Sequence, residues 1–507
     1  MSAAPPPVSS TTLGDLFEEI GTREPDALAY VDGDQRMTYG QWLAGADSLA
    51  AELRARGVEP GDVVAFSMAS CIDYAVAYAA CARLGAVATG INTRLGPREV
   101  TAILQRCEPV ALLHERADPE LPADAPAPKV IMPRTEVAAV WQAGTPFLDR
   151  PVRQPEDPVC IVWTSGTTGL PKGAWFDHRA LEASARLSDI LSAYHDVRLM
   201  PVPFAHAGYM NKVWDQVEFV ISCVLTATPW TAESMLEQMV AEHATMGWGV
   251  PTQWAKLVDL PQLAGADLSA LRLCSTGSAP VTPELAEKMR TRLGCPIVVR
   301  YACTESSSIT GTRPADPAEV LLHTVGRPQE GIELKLVDAD GDEVPPGDVG
   351  VVTLRSPCSM RAYWNDPERT AEALSPDGWI TTSDLGLLRD DGNLVLRGRT
   401  SEMYIRGGFN VHPLEVERVL ADHPKVGRVA IVGTPAPTIG EIGVAFVEPV
   451  DPADPPTLDE VRTFVRDRLA DYKAPDRLEV VAELPMTSML KIDKTALQTR
   501  AVSPPDG

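Results

Sequence analysis

The sequence lacks the features that would place it in a membrane, outside the cell or on nucleic acid. No apolar run reaches the roughly 18 residues of a membrane-spanning helix. The N-terminus, Met-Ser-Ala-Ala-Pro-Pro-Pro, has neither the basic nor the apolar region of a signal peptide. Basic residues are scarce, since 45 Lys and Arg face 69 Asp and Glu and leave a net charge of −24. Because such a surface repels nucleic acid and anionic membranes, we expect a cytoplasmic protein with neither a nucleic-acid partner nor a stable membrane association.

The cysteines form no metal-binding or disulfide pattern. There are nine Cys, an odd number, and none belongs to a Cys-x-x-Cys motif. This distribution predicts buried or free thiols in a reducing compartment. Apolar residues, in contrast, make up 45% of the 507 residues. That is enough for a large core divided among roughly two to four domains or subdomains.

The order of patterns predicts a large α/β unit followed by a small α+β unit. Residues 12–113 alternate amphipathic helices with short apolar strands, which indicates buried and largely parallel sheets. Residues 118–155 are rich in Pro, Ala and acidic residues and are expected to form a surface excursion. Residues 332–355 alternate with period two and predict an antiparallel meander. The predicted organisation is a large domain at 1–397, a hinge at 398–403 and a small domain at 404–507.

The most informative stretch, residues 162–173, reads Val-Trp-Thr-Ser-Gly-Thr-Thr-Gly-Leu-Pro-Lys-Gly and follows an apolar, strand-like run. The backbone N–H groups of such a loop can approach an anion closely, while its hydroxyls and its Lys add donors and charge. It is not a Walker A loop, because Pro171 separates Leu170 from Lys172. After the loop, the sequence predicts a helix over residues 178–194. The residues expected to bind phosphate are Thr164, Ser165, Gly166, Thr167, Thr168, Gly169 and Lys172.

Two further motifs carry groups suited to a nucleotide and its metal ion. In Tyr301-Ala-Cys-Thr-Glu305 the Tyr offers a flat face to a base, and the Glu offers a hard oxygen ligand to Mg²⁺. In Thr382-Ser-Asp384 a carboxylate suits two vicinal hydroxyl donors. Each motif has a plainer alternative, which is an ordinary strand end with a surface Glu for the first and a surface salt bridge for the second.

Taken in order, these motifs resemble those of the adenylate-forming superfamily, which includes acyl-CoA and aryl-CoA synthetases, luciferases and the adenylation domains of peptide synthetases. The resemblance extends from about Leu13 to Leu497. It implies an α/β fold, with a large N-terminal domain of doubly wound sheets plus a small distorted barrel, and a small mobile α+β C-terminal domain. It also implies that the protein uses ATP, Mg²⁺ and coenzyme A.

The resemblance assigns roles to individual residues. Lys491, Glu305, Thr164 and His206 are implied to be catalytic, with Glu305 as the Mg²⁺ ligand and Lys491 touching the acid's carboxylate and the α-phosphate. Lys494 is the competing candidate for the catalytic Lys, and Ser401 is the implied hinge. The sequence departs from the family pattern at Ala302, Ser383, Ser401 and Leu490. The remaining residues implied to bind the nucleotide are Gly277, Ser278, Ala279, Arg300, Tyr301, Ala302, Thr304, Asp384 and Arg399.

The segment after Phe204 favours the acid:CoA ligase branch. Peptide-synthetase domains carry an Asp there for the α-ammonium of an amino acid, whereas Ala205 and His206 follow Phe204 here. The predicted reaction joins a carboxylic acid and ATP into acyl-AMP and pyrophosphate, and the CoA thiol then forms the thioester. A carrier-protein-loading adenylase, a luciferase-like oxygenase and a non-catalytic acyl-adenylate sensor remain alternatives, and a homodimer is compatible with each. The predicted acid pocket comprises Phe204, His206, Ala207, Tyr209 and Trp248.

Overall fold

The structure is a computed structural model that describes residues 5–116, 119, 121–164, 170–279, 281–436, 439–487 and 491–502. Part of the predicted phosphate loop, residues 165–169, lies outside the described residues, as does Leu490.

The described chain alternates strands and helices along most of its length. In chain order the strands are β1 Leu28–Asp32, β2 Gln35–Thr38, β3 Val63–Ser67, β4 Val87–Gly90, β5 Ala111–His114, β6 Val130–Pro133, β7 Pro158–Thr164, β8 Lys172–Asp177, β9 Val197–Met200, β10 Ser222–Leu225, β11 Met246–Gly249, β12 Leu273–Gly277, β13 Ile297–Cys303, β14 Ser307–Gly311, β15 Arg327–Pro328, β16 Glu333–Val337, β17 Val349–Arg355, β18 Ala362–Tyr363, β19 Ile380–Leu388, β20 Leu394–Arg399, β21 Tyr404–Arg406, β22 Phe409–Val411, β23 Val426–Ala436, β24 Gly440–Pro449 and β25 Arg477–Val480. The helices are α1 Leu13–Arg23, α2 Tyr39–Ala55, α3 Ile72–Leu84, α4 Pro97–Cys107, α5 Arg134–Gln142, α6 His178–Arg186, α7 Ala207–Met210, α8 Val213–Glu218, α9 Ala232–Ala241, α10 Pro251–Val258, α11 Pro283–Leu293, α12 Ala318–His323, α13 Pro367–Ala373, α14 Pro413–Ala421, α15 Leu458–Arg466 and α16 Lys494–Val502.

Two large sheets form the body of the N-terminal domain. One has the strand order β18–β8–β7–β4–β3–β5–β6 and is parallel from β7 to β6. The other has the order β15–β14–β13–β12–β11–β9–β10–β1–β2 and is parallel from β13 to β1. Both sheets carry antiparallel strands at an edge. The predicted doubly wound α/β architecture is therefore confirmed.

Helix α3 lies in the main core, which draws on both large sheets. All 13 residues of α3 are buried, and five of them are Ala, whose small side chains allow close packing. Gly85 ends the helix in the left-handed conformation, with φ at 75°. The same core includes Phe66 from the first sheet and Tyr30 from the second.

The last part of the chain forms two smaller units. Strands β16, β17, β19 and β20 form an antiparallel sheet, which is the predicted meander. This sheet stands where a small barrel was expected, and among the described residues its outer strands β16 and β20 do not pair. Beyond it, β21 to β25 form a separate sheet covered by α14, α15 and α16, with its own apolar clusters around Tyr404 and Phe446.

The structure corrects two expectations drawn from the sequence. The helix predicted over 178–194 ends at Arg186, and a short 3₁₀ turn follows in which Asp189 has φ at 47°. That left-handed residue prevents the helix from continuing. The excursion predicted over 118–155 contains β6, which extends the first sheet, and α5. None of the described helices is both long and apolar enough to cross a membrane.

Candidate active site

The candidate site lies where strands of both large sheets end. Strand β12 ends at Gly277, and the close approach of β13 explains this residue, because a Cβ there would lie 2.3 Å from the carbonyl oxygen of Arg300. Ser278 follows in the left-handed region with φ at 65° and is exposed, and Ala279 is partly accessible. This turn therefore presents backbone without bulky side chains, as a site for a flat ligand requires.

Four polar side chains lie around the end of β7 and the start of β8. Thr164 at the end of β7 is the register partner of Lys172 at the start of β8. The Lys172 ammonium lies 4.6 Å from the ring centre of Tyr363, and the Tyr363 hydroxyl donates to Oε1 of Glu305 at 2.7 Å. The Thr164 hydroxyl is buried and has no hydrogen-bond partner among the described residues. An orphaned hydroxyl, an ammonium and an anchored carboxylate are the groups that a metal–polyphosphate complex needs.

Tyr363 is a site residue that the sequence did not reveal. It lies on the two-residue strand β18, which pairs with β8 and so faces the phosphate loop. Burial and the neighbouring Glu305 raise the pKa of the Tyr363 hydroxyl well above its ordinary value. The phenol therefore stays protonated and fixes the Glu305 carboxylate as a donor.

Tyr301, Asp384 and Arg399 meet at a second polar cluster. The Tyr301 hydroxyl donates to Oδ2 of Asp384 at 2.7 Å, and Nε of Arg399 donates to Oδ1 at 2.9 Å. Asp384 and Arg399 are register partners on β19 and β20, so the sheet sets this pairing. Each carboxylate oxygen keeps a free lone pair, and Asp384 can still accept bonds from two neighbouring hydroxyls.

The other residues predicted around Tyr301 lie on β13 or in the turn that follows it, and their surroundings differ. A register shift falls between Tyr301 and Ala302, and Ala302 is exposed at this bulge, which leaves room for its methyl group. Thr304 is partly accessible in the following turn. Arg300, which was also predicted to bind the nucleotide, lies next to Tyr301 on β13, and its guanidinium packs over Gly311. Burial lowers the pKa of Arg300 to about 10.

His206 is held in its neutral form. The Asn92 amide accepts from the backbone N–H of Arg94 through its oxygen, so its nitrogen faces Nε2 of His206 at 2.9 Å. This contact makes Nε2 an acceptor and places the proton on Nδ1. Burial, followed by the positive charge of Lys491, lowers the pKa of His206 to about 4.

The residues predicted to form the acid pocket fall into two groups, which are partly accessible residues and fully buried ones. His206, Ala207 and Trp248 are partly accessible. Phe204 and Tyr209 are each 1% exposed and stack on each other with ring centres 3.6 Å apart, so these two belong to the core and do not line the pocket. The rings of Phe204 and Tyr209, together with hydrogen bonds from buried tyrosines, fix the turn that carries His206.

Lys491 and Lys494 occupy different surroundings. Lys494 forms ion pairs with Glu402 at 2.7 Å and Glu417 at 2.9 Å, which are its neighbours in the chain's last third. Burial, followed by the positive charge of Arg399, lowers the pKa of Lys491 to about 8, and the Asp384 carboxylate opposes this shift. Lys491 thus lies among the residues of the candidate site, whereas Lys494 holds the C-terminal unit together.

Ser401, the predicted hinge, is exposed in the turn between β20 and β21. The backbone N–H groups of Glu402 and Met403 both donate to the carbonyl of Arg399 across this turn. Gly398 precedes it with φ at 128°. The segment is therefore short and lies between the site cluster and the C-terminal sheet.

Comparisons with known proteins identify the family of the chain. The AMP-binding enzyme family matches residues 17–364, and the AMP-binding enzyme C-terminal domain matches residues 415–491. The chain is 33% identical to an indoleacetate–CoA ligase of Aromatoleum aromaticum, over 95% of this chain and 96% of that protein. It is 31% identical to a fatty acid–[acyl-carrier-protein] ligase of Streptomyces coeruleorubidus, over 94% of each. The crystal structure of ATP-bound MatB from Rhodopseudomonas palustris has a TM-score of 0.88 at 26% identity and covers 96% of this chain and 98% of that one.

The matched fold is that of adenylate-forming enzymes. This chain belongs to the family of AMP-binding enzymes, as the motifs of the sequence predicted.

Proposed function

We propose that this protein is an ATP-dependent acid:CoA ligase. It joins a carboxylic acid to AMP with release of pyrophosphate and then transfers the acyl group to the thiol of coenzyme A. The observation that carries this proposal is the cluster in which Tyr301 and Arg399 both bind Asp384, with the charge of Lys491 acting on the neighbouring His206. An ammonium between a carboxylate-binding turn and a ribose-binding carboxylate suits the attack of one anion on another.

Mg²⁺ fits the residues around Glu305, and we include it in the proposal. Tyr363 donates a hydrogen bond to Oε1 of the Glu305 carboxylate, and Oε2 accepts no hydrogen bond from any described residue. Among the described residues there is no group of three or more His, Cys, Asp or Glu side chains that could enclose a metal ion. A single carboxylate that shares Mg²⁺ with substrate phosphates matches the usual preference of this ion. When bound, Mg²⁺ would offset the negative charge of the phosphates.

Each remaining residue of the site has one task in this scheme. Thr164 and Lys172 hold phosphate oxygens, Asp384 accepts the ribose hydroxyls, and Tyr301 lies beside the base. His206 donates from Nδ1 to an oxygen of the acid, since its Nε2 is taken by Asn92. The attack needs no side-chain nucleophile, which agrees with free Cys residues that are nearly all buried.

The domain boundaries and the hinge belong to the same proposal. The chain divides into residues 1–397, a hinge at 398–403 and residues 404–507, and Ser401 turns the small domain after adenylation. Rotation removes Lys491 and lets the thiol approach the acyl-AMP. We place the reaction in the cytoplasm, because thiols such as the fully buried Cys81 and Cys160 suit a reducing compartment.

A panel of acids tests the proposal. The protein is supplied with ATP, Mg²⁺ and CoA, together with fatty, aryl, cyclic and dicarboxylic acids beside the twenty amino acids, and pyrophosphate release is measured. We expect one class of non-amino acid to give AMP, pyrophosphate and acyl-CoA in equal amounts. A clear preference for an amino acid, or the absence of pyrophosphate with every acid, refutes the proposal.

A carrier protein is the second candidate acceptor, and the Streptomyces relative favours it. The same assay is therefore run with holo-acyl carrier protein in place of CoA. Acyl transfer to the carrier at a rate at least tenfold above that to CoA would assign the thiol of the carrier protein as the acceptor.

A further inference from the structure

A small cavity with buried charges lies behind the predicted acid pocket. It has a volume of ≈ 20 Å³ and is lined by Arg198, Lys212, Asp215, Met246, Trp248 and Ser275, among other residues. About one water-sized group fits in a space of this kind. Trp248 joins the cavity to the turn after His206, since a Cβ on Gly208 would lie 3.7 Å from its ring.

Lys212 lines this cavity together with Trp248. The Trp248 ring also adjoins Gly208, in the short helix that follows His206. An acid held at His206 can therefore extend along Trp248 toward Lys212.

Positive charge exceeds negative charge around the cavity. Arg198 and Asp215 form an ion pair at 2.8 Å, with side chains 3% and 1% exposed, although neither Asp215 oxygen accepts a hydrogen bond from a described residue. This one carboxylate faces two cations, Arg198 and Lys212, in the cavity lining. Lys212 donates to the hydroxyl of Ser188 at 2.9 Å and to the carbonyl of Ser184 at 3.2 Å. Both of these acceptors are neutral, and an ammonium has one more donor than they occupy.

A largely buried ammonium whose two hydrogen-bond acceptors are both neutral is costly. Burial accordingly lowers the pKa of Lys212 below its ordinary value. A Met of similar length would fill the same space without that cost. A cation retained in such a place, beside a cavity and an aromatic wall, indicates a ligand with an oxygen acceptor.

We infer that the acid carries a second oxygen acceptor, a carboxylate, carbonyl or hydroxyl, at the end remote from the reacting carboxylate, and that Lys212 binds it. The carbon skeleton then packs along Trp248 and Met246, while the oxygen enters the small cavity. This inference rests on the proposed ligase function and adds the class of acid that the enzyme selects.

Matched pairs of acids test the inference. Each pair has the same chain length and differs only in ending in a methyl group or in a carboxylate, ketone or hydroxyl. The specificity constant kcat/KM for pyrophosphate release is measured for the wild type, for Lys212→Met and for Lys256→Met, which removes an exposed Lys of α10. A hydrogen bond to a charged group is worth roughly 10- to 150-fold in binding, so the wild type should favour the oxygen-bearing acid by about that factor.

Comparing the Lys212→Met and Lys256→Met variants distinguishes binding of the acid by Lys212 from a purely structural role. Lys212→Met should lose the preference by lowering kcat/KM for the oxygen-bearing acid, and should keep the methyl-ended acid within about threefold of the wild type. Lys256→Met should retain the full preference. A wild type that uses the methyl-ended acids as well as the others overturns the inference while leaving the ligase function intact.

A binding measurement covers variants with poor activity. Stable N-acylsulfamoyl adenosines with the same pairs of acyl ends are titrated by calorimetry into the wild type and into Lys212→Met. Tighter binding of the oxygen-bearing analogue by the wild type alone supports the inference. Equal affinities of the two analogues for the wild type contradict it, and failure of every analogue to bind counts against the ligase proposal itself.

Discussion

The charge at Lys491 should be needed for the first half-reaction and dispensable for the second. Lys491→Ala removes an ammonium whose pKa is lowered from 10.5 to about 8 in the free site, chiefly by burial. This lowering of the pKa corresponds to roughly 3 kcal/mol, a cost that attraction between the ammonium and the arriving carboxylate and phosphate can offset. Loss of one such group costs about 10²- to 10³-fold in rate. Adenylation from acid and ATP should fall by at least this factor.

The second half-reaction starts from a neutral acyl carbonyl and should not need that charge. Thioester formation from pre-made acyl-AMP and CoA should therefore stay within about threefold of the wild type, a cost below roughly 0.7 kcal/mol. The two half-reactions are assayed separately by pyrophosphate release and by loss of free thiol. Lys494→Ala is the matched control, because the Lys494 ammonium is already engaged in ion pairs with Glu402 and Glu417. Equal damage to both half-reactions, or a loss of adenylation in Lys494→Ala alone, would refute the assignment.

The pH dependence gives a second check on Lys491. The ammonium form is the active one, and its pKa in the free enzyme is about 8. The kcat/KM of adenylation should therefore fall about tenfold per pH unit above pH 8, provided that ATP is fully ionised throughout. The neutral His206, with its pKa lowered to about 4, should add no titration between pH 5 and pH 7.

Three further predictions concern other parts of the molecule. Glu305→Gln removes the proposed Mg²⁺ ligand. It should lower the adenylation rate by roughly 10²-fold, about 3 kcal/mol, and raise the Mg²⁺ concentration needed for the half-maximal rate, whereas an unchanged Mg²⁺ titration would exclude Glu305 from the metal site. Ser401→Pro fixes φ near about −65° in the hinge turn and should spare one half-reaction while the other drops, whereas equal loss in a folded variant would place the hinge elsewhere. His178 accepts from the N–H of Leu13 at 2.9 Å and has its pKa lowered to about 4 from 6.5, so the unfolded chain binds the proton more tightly. The free energy of unfolding should thus fall by about 3 kcal/mol from this group as pH falls from 6.5 to 4, and denaturant titrations of His178→Asn should lack that share of the loss.

The fold was readable from the sequence where local patterns are long. The alternation of helices and strands predicted over residues 12–113 corresponds to α1 to α4 and β1 to β5, and the period-two alternation over residues 332–355 corresponds to β16 and β17. The end of α6 was not readable, because the left-handed Asp189 that stops the helix leaves no pattern of its own. Strand β6 was missed because its four residues are too few for a periodic signal.

The site was readable where its residues stand in contiguous motifs. Asp384 and Arg399 were named from separate motifs, and the register of β19 and β20 brings them together. Asn92 contacts His206 across 114 residues of chain, and Tyr363 contacts Glu305 across 58, so no local spacing could have indicated either pair. Phe204 has the chemistry of a pocket residue, and only its packing distinguishes a core residue from a lining one.

The central claim is that a single site makes an acyl-adenylate and then passes its acyl group to a thiol, and a pulse–chase experiment tests it most directly. The enzyme is mixed with ATP, Mg²⁺ and a limiting amount of the labelled preferred acid, and CoA is then added with a large excess of the same acid unlabelled. The account predicts that, before CoA is added, label accumulates as acyl-AMP up to one equivalent per protein with an equal amount of pyrophosphate. The bound label should then appear as acyl-CoA within the first turnover, in an amount equal to the acyl-AMP present before the chase. Label recovered as an acyl phosphate with ADP, or bound label lost as free acid and so excluded from acyl-CoA by the chase, would contradict it.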